Sequence, residues 1–169
     1  MALDAAMGLQ ALHEASVAPI VHFDMKPRQL LLAEDGRVMV NDFNAAHFMG
    51  ARGSGVSCPF TRHGKGRVVA WRSPENIAGK PLTEKVDIYS MGMIFYSMMS
   101  GRAPFPMTEL GNRMIVRGER PKIDPSWHAG YMQVVQGMWQ PEPTERPSAR
   151  QVVARLEGIL DSLPAYDQW

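Results

Sequence analysis

Cysteine, net charge and long apolar runs are all scarce in this 169-residue chain. The single cysteine, Cys58, excludes an internal disulfide and a cysteine-built zinc site, and fits a reducing compartment. The net charge of +1, from 18 basic and 17 acidic residues, excludes a global field that would recruit nucleic acid or an anionic membrane surface. No run approaches the ~18 uncharged apolar residues of a membrane-crossing helix. The opening "MALDAAMGLQALHEASV" has neither the basic start nor the continuous apolar centre of a signal peptide. These absences predict an intracellular, cytoplasmic protein without nucleic-acid or membrane partners.

What is present is ordinary for a globular domain: 45% apolar and 21% charged residues. A chain of this length supports one domain that buries roughly 70% of its unfolded surface. Its most apolar window, "VDIYSMGMIFYSMM" at 86–99, is too short for a bilayer and suits a helix inside a protein core. The methionines at 91, 93, 98 and 99 are expected to fill that core as soft, adaptable side chains.

Periodicity predicts a helix over 4–17, with Met7, Leu9, Ala11 and Leu12 on its apolar side and Gly8 as a weak point. Pro19 stops it and turns the chain into an extended Ile20-Val21. Leu30 to Ala33 and Val38 to Val40 read as two strands of a hairpin joined by Glu34-Asp35-Gly36. The stretch 42–71 shows little periodicity, and loops beyond ~12 to 15 residues are usually functional. It carries Arg52, Arg62, His63, Lys65 and Arg67, without the interleaved aromatics of single-strand nucleic-acid binders.

The remainder is helical in pattern. Thr83 caps a helix that runs to about Met99 and ends at Gly101, and shorter helices follow over 108–116 and 130–139. Ser148 and Gln151 have capping-box spacing, after which Val152, Leu156, Ile159 and Leu163 recur every three or four residues. The predicted class is mainly α with one small β-hairpin.

Between two apolar segments lies "HFDMKPRQ" at 22–29, an Asp and a Lys two residues apart and pinned by a Pro. A solvated surface turn explains part of this, and a phosphate-handling loop explains more. The blocks that follow decide between them: "HFDMKPRQLLL", "VNDFNAAHFMG", "AWRSPENIAG", "DIYSMGMIFYSMMSGRAPF" and "MWQPEPTERPS", in that order. Together they resemble the eukaryotic protein kinases. The resemblance covers the C-terminal lobe of that fold, with a catalytic loop at 22–29, an activation segment at 42–75 and a helical body at 83–163.

That resemblance implies a role for each matching residue. Asp24 corresponds to the catalytic-loop aspartate that orients the substrate hydroxyl, and Lys26 to the lysine beside the transferring phosphoryl group in serine/threonine-type members. Asp42 corresponds to the aspartate that holds Mg2+ between the ATP phosphates. Structural roles fall to His22 behind the loop, to Asp87 as a brace of its backbone, and to a buried pair between Glu75 and Arg146. His13, His47, His63 and His128 are expected to be ordinary polar or half-buried residues without metal-ligand spacing.

The chain also departs from the family pattern. It contains no G-x-G-x-x-G loop and no V-A-I-K-like lysine, so the N-terminal lobe is expected to be absent. Gln29 stands where the family places the asparagine ligand of a second Mg2+, one methylene too long for an ion that demands about 2.0 to 2.1 Å. Asn44 replaces the glycine of Asp-Phe-Gly and is expected to occupy left-handed backbone space. Phe23 replaces the arginine that pairs with an activation-loop phosphate, so control through the candidate phosphorylation sites Ser54, Ser57 and Thr61 loses its usual anchor.

The expected function is that of a protein-kinase fragment, a family that moves the γ-phosphoryl group of ATP to protein serine or threonine hydroxyls with Mg2+. The isolated chain is expected to be inactive. Alternatives are a non-catalytic pseudokinase or scaffold for protein partners, and a truncated gene model of an active kinase. The surface beneath the absent lobe is a candidate face for association.

Overall fold

The apolar window at 86–99 lies within α3 (Lys85–Ser100), the longest helix among the described residues, and α1 and α5 pack directly against it. The computed structural model describes residues 1–50 and 70–164. Within them α1 (Ala2–His13) precedes β1 (Ile20–Val21), β2 (Leu30–Leu32), β3 (Val38–Val40) and β4 (His47–Phe48). Then follow α2 (Pro74–Ile77), α3, α4 (Glu109–Val116), α5 (Ala129–Met138) and α6 (Ala149–Ser162). The mainly α class with a small hairpin is therefore correct. Ser54, Ser57 and Thr61, the basic residues from Arg52 to Arg67, and Cys58 lie outside the described residues.

Every residue of α3 from Val86 to Tyr96 is buried, which an all-round apolar helix requires. Its last turn is different. Met91 and Met93 are fully buried, but Met98 and Met99 are 38% and 40% exposed, so only the first pair fills the core. Gly101 ends the helix with a left-handed φ of 68°, and its N–H bonds the Ser97 carbonyl. At the other end the Thr83 hydroxyl accepts weakly from the Lys85 N–H at 3.4 Å, while Glu84 holds the cap position.

Helix α1 ends at His13, four residues before the predicted boundary. Its inward face is Ala5, Ala6, Leu9 and His13, whereas Met7 is half exposed and Ala11 faces solvent. Small alanines let α1 lie close to α6 and the hairpin. Gly8 serves the same approach: a Cβ there would come within 2.9 Å of Val40 Cγ2. The apparent weak point is thus a packing contact.

The hairpin pairs β2 with β3 antiparallel, Leu31 opposite Met39, and Gly36 turns it with φ 83°. A second small sheet was not legible in the sequence. It pairs β1 with β4, Ile20 opposite Phe48 and Val21 opposite His47, inside the stretch predicted to be irregular. Met49 follows it into a satellite core with Val21, Phe23, Leu82 and Val86. A two-residue strand has too little periodicity to be recognised, and its paired residues lie 26 and 28 positions apart in the sequence.

Helix α6 has both halves of its capping box: the Ser148 hydroxyl accepts from Gln151 N–H, and the Gln151 side chain accepts from Ser148 N–H. Val152 and Leu156 are buried, Ile159 half-buried, and Leu163 lies beyond the helix at 41% exposure.

Candidate functional site

The loop from His22 to Gln29 is held in place by one buried carboxylate. Asp87, in the first turn of α3 and 1% exposed, accepts the His22 N–H at 2.7 Å on Oδ2 and the Phe23 N–H at 2.9 Å on Oδ1. His13 from α1 approaches Oδ2 as well, with Nε2 at 3.2 Å. Three elements distant in sequence are tied by a single side chain. His13 was not recognised in the sequence as part of this brace, since nothing in its spacing marks it.

His22 is fully buried and connects two loops. Its Nε2 donates to the Asn41 carbonyl at 2.9 Å, and its Nδ1 accepts the Asp24 N–H at 3.3 Å. The two bonds define one neutral tautomer, with the proton on Nε2. The ring also lies 5.5 Å from that of Phe43. His22 therefore fixes the backbone at Asp24 relative to the backbone just before Asp42.

Two non-glycine residues here have left-handed backbones, Phe23 at φ 64° and Asp42 at φ 66°. Such positions cost of order 1–3 kcal/mol each and persist where surrounding contacts enforce them. The Asp87 bond to the Phe23 N–H is one such contact. Asn44, expected in left-handed space, instead sits in a short right-handed turn over Phe43–Ala45, and Asp42 takes the strained position before it.

Four sequence-predicted side chains, Asp24, Lys26, Gln29 and Asp42, meet here with Asn44 beside them. Lys26 Nζ forms an ion pair with Asp24 Oδ2. Gln29 Nε2 donates to Asp42 Oδ2 at 2.8 Å and to Asp24 Oδ2 at 3.3 Å. Asn44 Nδ2 donates to Asp42 Oδ1 at 2.8 Å. Among the described residues Asp24 Oδ1 accepts no hydrogen bond, which leaves one oxygen of that carboxylate open to a ligand.

The donor set suits a hard divalent cation. The carboxylate of Asp42 and the carboxamide oxygen of Gln29 would supply oxygen ligands, the chemistry Mg2+ takes, with the Asp24 carboxylate beside them. No group of three or more His, Cys, Asp or Glu side chains that would cage a metal occurs among the described residues. Such a sparse set fits an ion that keeps waters and shares its remaining positions with phosphate oxygens.

Glu75 and Arg146 lie apart from this cluster. Arg146, 2% exposed, donates to both Glu75 oxygens, at 2.6 and 2.9 Å. Its other donors reach the carbonyls of Gln140, Lys85 and Pro141. The guanidinium lies 5.0 Å from the centre of the Tyr89 ring, and Arg120 lies 5.3 Å from the same ring. Burial pushes the Tyr89 phenol well above its ordinary pKa.

Phe23 is 7% exposed and packs in the satellite core, its ring edge-on to His47 at 5.7 Å. Phe23 is thus an apolar anchor between the 22–29 loop and β4.

Known proteins are similar in sequence to nearly the whole chain. The family described as "Protein kinase domain" matches residues 1–156. Serine/threonine/tyrosine-protein kinase HT1 of Arabidopsis thaliana is 34% identical over 93% of this chain and 38% of its own length. Serine/threonine-protein kinase mos of Xenopus laevis is 32% identical over 89% of this chain and 44% of its own. Dual specificity protein kinase shkD of Dictyostelium discoideum is 30% identical over 95% of this chain and 21% of its own. The chain thus spans less than half the length of these relatives. With residues 1–156 matched by that family and its sequence blocks in order, the chain belongs to the protein kinase domain family.

Proposed function

We propose that these 169 residues form the C-terminal lobe of a protein kinase, the half that presents the hydroxyl substrate to the γ-phosphoryl group of ATP. The observation that carries this reading is the convergence of Asp24, Lys26, Gln29 and Asp42 into one hydrogen-bonded cluster.

Asp24 is held through Oδ2, so its Oδ1 is the acceptor for a serine or threonine hydroxyl proton. Lys26 lies beside it as the cation that meets phosphoryl oxygens. Asp42, with the carboxamide oxygen of Gln29, would hold Mg2+. That ion supplies neutralisation of phosphate charge when bound. Asp87 and His22 position the loop and do not touch substrate.

The glycine-rich phosphate cover is not among these residues, so the open site binds ATP poorly by itself. The thermal unfolding of the 169-residue chain should not respond to ATP with Mg2+. Joined to a glycine-rich lobe taken from a relative, the chain should gain an ATP- and Mg2+-dependent rise in Tm that Asp42→Ala removes. A rise that survives Asp42→Ala would reject the assignment of Asp42.

A second reading is a non-catalytic scaffold for a protein partner. It is favoured by the apolar surface of the hairpin and its neighbours, where Leu32 and Phe48 are 66% and 67% exposed. Phosphoryl transfer by the joined protein would rule it out.

A further inference from the structure

We propose that Gln29 and Asn44 form a carboxamide clamp that stands in for the divalent cation, and that cation entry requires Gln29 to turn its amide over. This inference rests on the reading of Asp24 and Asp42 as the site of phosphoryl transfer.

Two carboxylates that face a common space repel unless positive charge or hydrogen-bond donors lie between them. Here the donors are the chain's own. Gln29, only 3% exposed, directs its NH2 group at Asp42 Oδ2 and Asp24 Oδ2 together. Asn44 covers the other Asp42 oxygen, and Lys26 the shared oxygen of Asp24. Both oxygens of Asp42 and one of Asp24 therefore accept from the chain's own side chains.

The orientation of Gln29 follows from charge. Turned over, its Oε1 would face two carboxylate oxygens with nothing between, so Nε2 faces them. A cation reverses the preference, because an amide N–H has no lone pair to give and Oε1 does. The terminal torsion of glutamine is soft and roughly two-fold, so the turn needs no movement of backbone.

Both clamp residues are departures from the family pattern. Asparagine at 29 would be one methylene shorter and would not span both acids from the same backbone, and glycine at 44 would have no amide at all. The clamp lowers affinity for a free divalent ion and ties cation entry to arrival of a ligand that brings further negative charge, such as a nucleoside triphosphate.

Mn2+ titration of the 169-residue chain, followed through water-proton relaxation, tests this without any turnover. The Gln29→Asn/Asn44→Gly double variant should bind Mn2+ about tenfold more tightly than the native chain, since hydrogen bonds to charged groups no longer compete. Asp42→Ala should abolish binding in either background. Asp42-dependent binding of equal strength in the two, or none in the double variant, overturns the clamp and leaves the site reading in place. Binding that survives Asp42→Ala overturns the site reading beneath it. In the native chain, the Gln29 side-chain NH2 resonances should move as Mg2+ is added. Their failure to move while Asp42-dependent binding occurs overturns the clamp even where the double variant does not fold.

Discussion

Arg146 and Glu75 are joined by two parallel hydrogen bonds in a buried fork, and every N–H of the guanidinium has an acceptor. The pair links α2 to the chain entering α6. Lys85 completes the knot from the start of α3 by donating to the Arg146 and Pro147 carbonyls at 2.7 and 3.1 Å.

Removing one partner leaves the other as an uncompensated charge. Arg146→Met should destabilise the fold by about 3–5 kcal/mol, whereas Arg146→Met with Glu75→Leu should recover a large part of that loss. Urea unfolding of the two variants measures the difference. A double variant no better than the single one would show that the pair is not the dominant contact.

Asp87 uses both oxygens as acceptors, so Asp87→Asn must turn an N–H donor toward a backbone N–H or toward His13. A loss of about 1–3 kcal/mol is expected for a buried group left unsatisfied. Amide exchange at His22 and Phe23 should accelerate more than exchange in α6, because the loss begins at the loop. Uniform acceleration would assign Asp87 a general rather than a local role.

Phe23 holds an apolar site, so Phe23→Arg should not restore phosphate-dependent control without cost. The guanidinium would enter a core of Val21, Met49, Leu82 and Val86, and the variant should melt at a lower temperature than native. An unchanged Tm would mean that the side chain leaves the core freely.

Tyr89 is buried, and its hydroxyl has no hydrogen-bond partner among the described residues. Tyr89→Phe should change stability by less than about 1 kcal/mol at neutral pH, or raise it, since an unpaired hydroxyl is removed and the ring facing Arg146 is kept. The alkaline range separates the two proteins. Burial raises the phenols of Tyr89 and Tyr131 above the ordinary value, so the unfolded chain releases their protons first as pH rises past about 10. Their stabilising effect is complete below that pH and is lost as pH climbs toward the folded values. Burial pulls Lys85 the other way, so its contribution rises between its lowered value and about 10.4. The native-minus-variant difference cancels Lys85 and should fall with pH above about 10; a flat difference would contradict the burial argument.

Much of this architecture was legible because its signals are local. The Ser148–Gln151 box, Gly101 and the all-apolar run of α3 each announce themselves within a few residues. The order of the sequence blocks placed Asp24, Lys26, Gln29 and Asp42 in one family, and their side chains do meet. What was not legible depends on distance. His13 joins Asp87 across 74 positions, and β1 finds β4 with only two residues on each side. The left-handed backbone at Phe23 is held by a tertiary contact with Asp87 against the preference of its residue type, whereas Asp42 is of a type that enters that region more readily.

Asp24 is the residue proposed to receive the substrate proton. The most direct measurement is transfer of labelled γ-phosphate from ATP to a serine/threonine protein substrate by the chain joined to a glycine-rich lobe. The native sequence should transfer, and Asp24→Ala should reduce the rate about 10² to 10⁴-fold without altering the far-ultraviolet circular dichroism. Transfer at the native rate by a folded Asp24→Ala protein would contradict it.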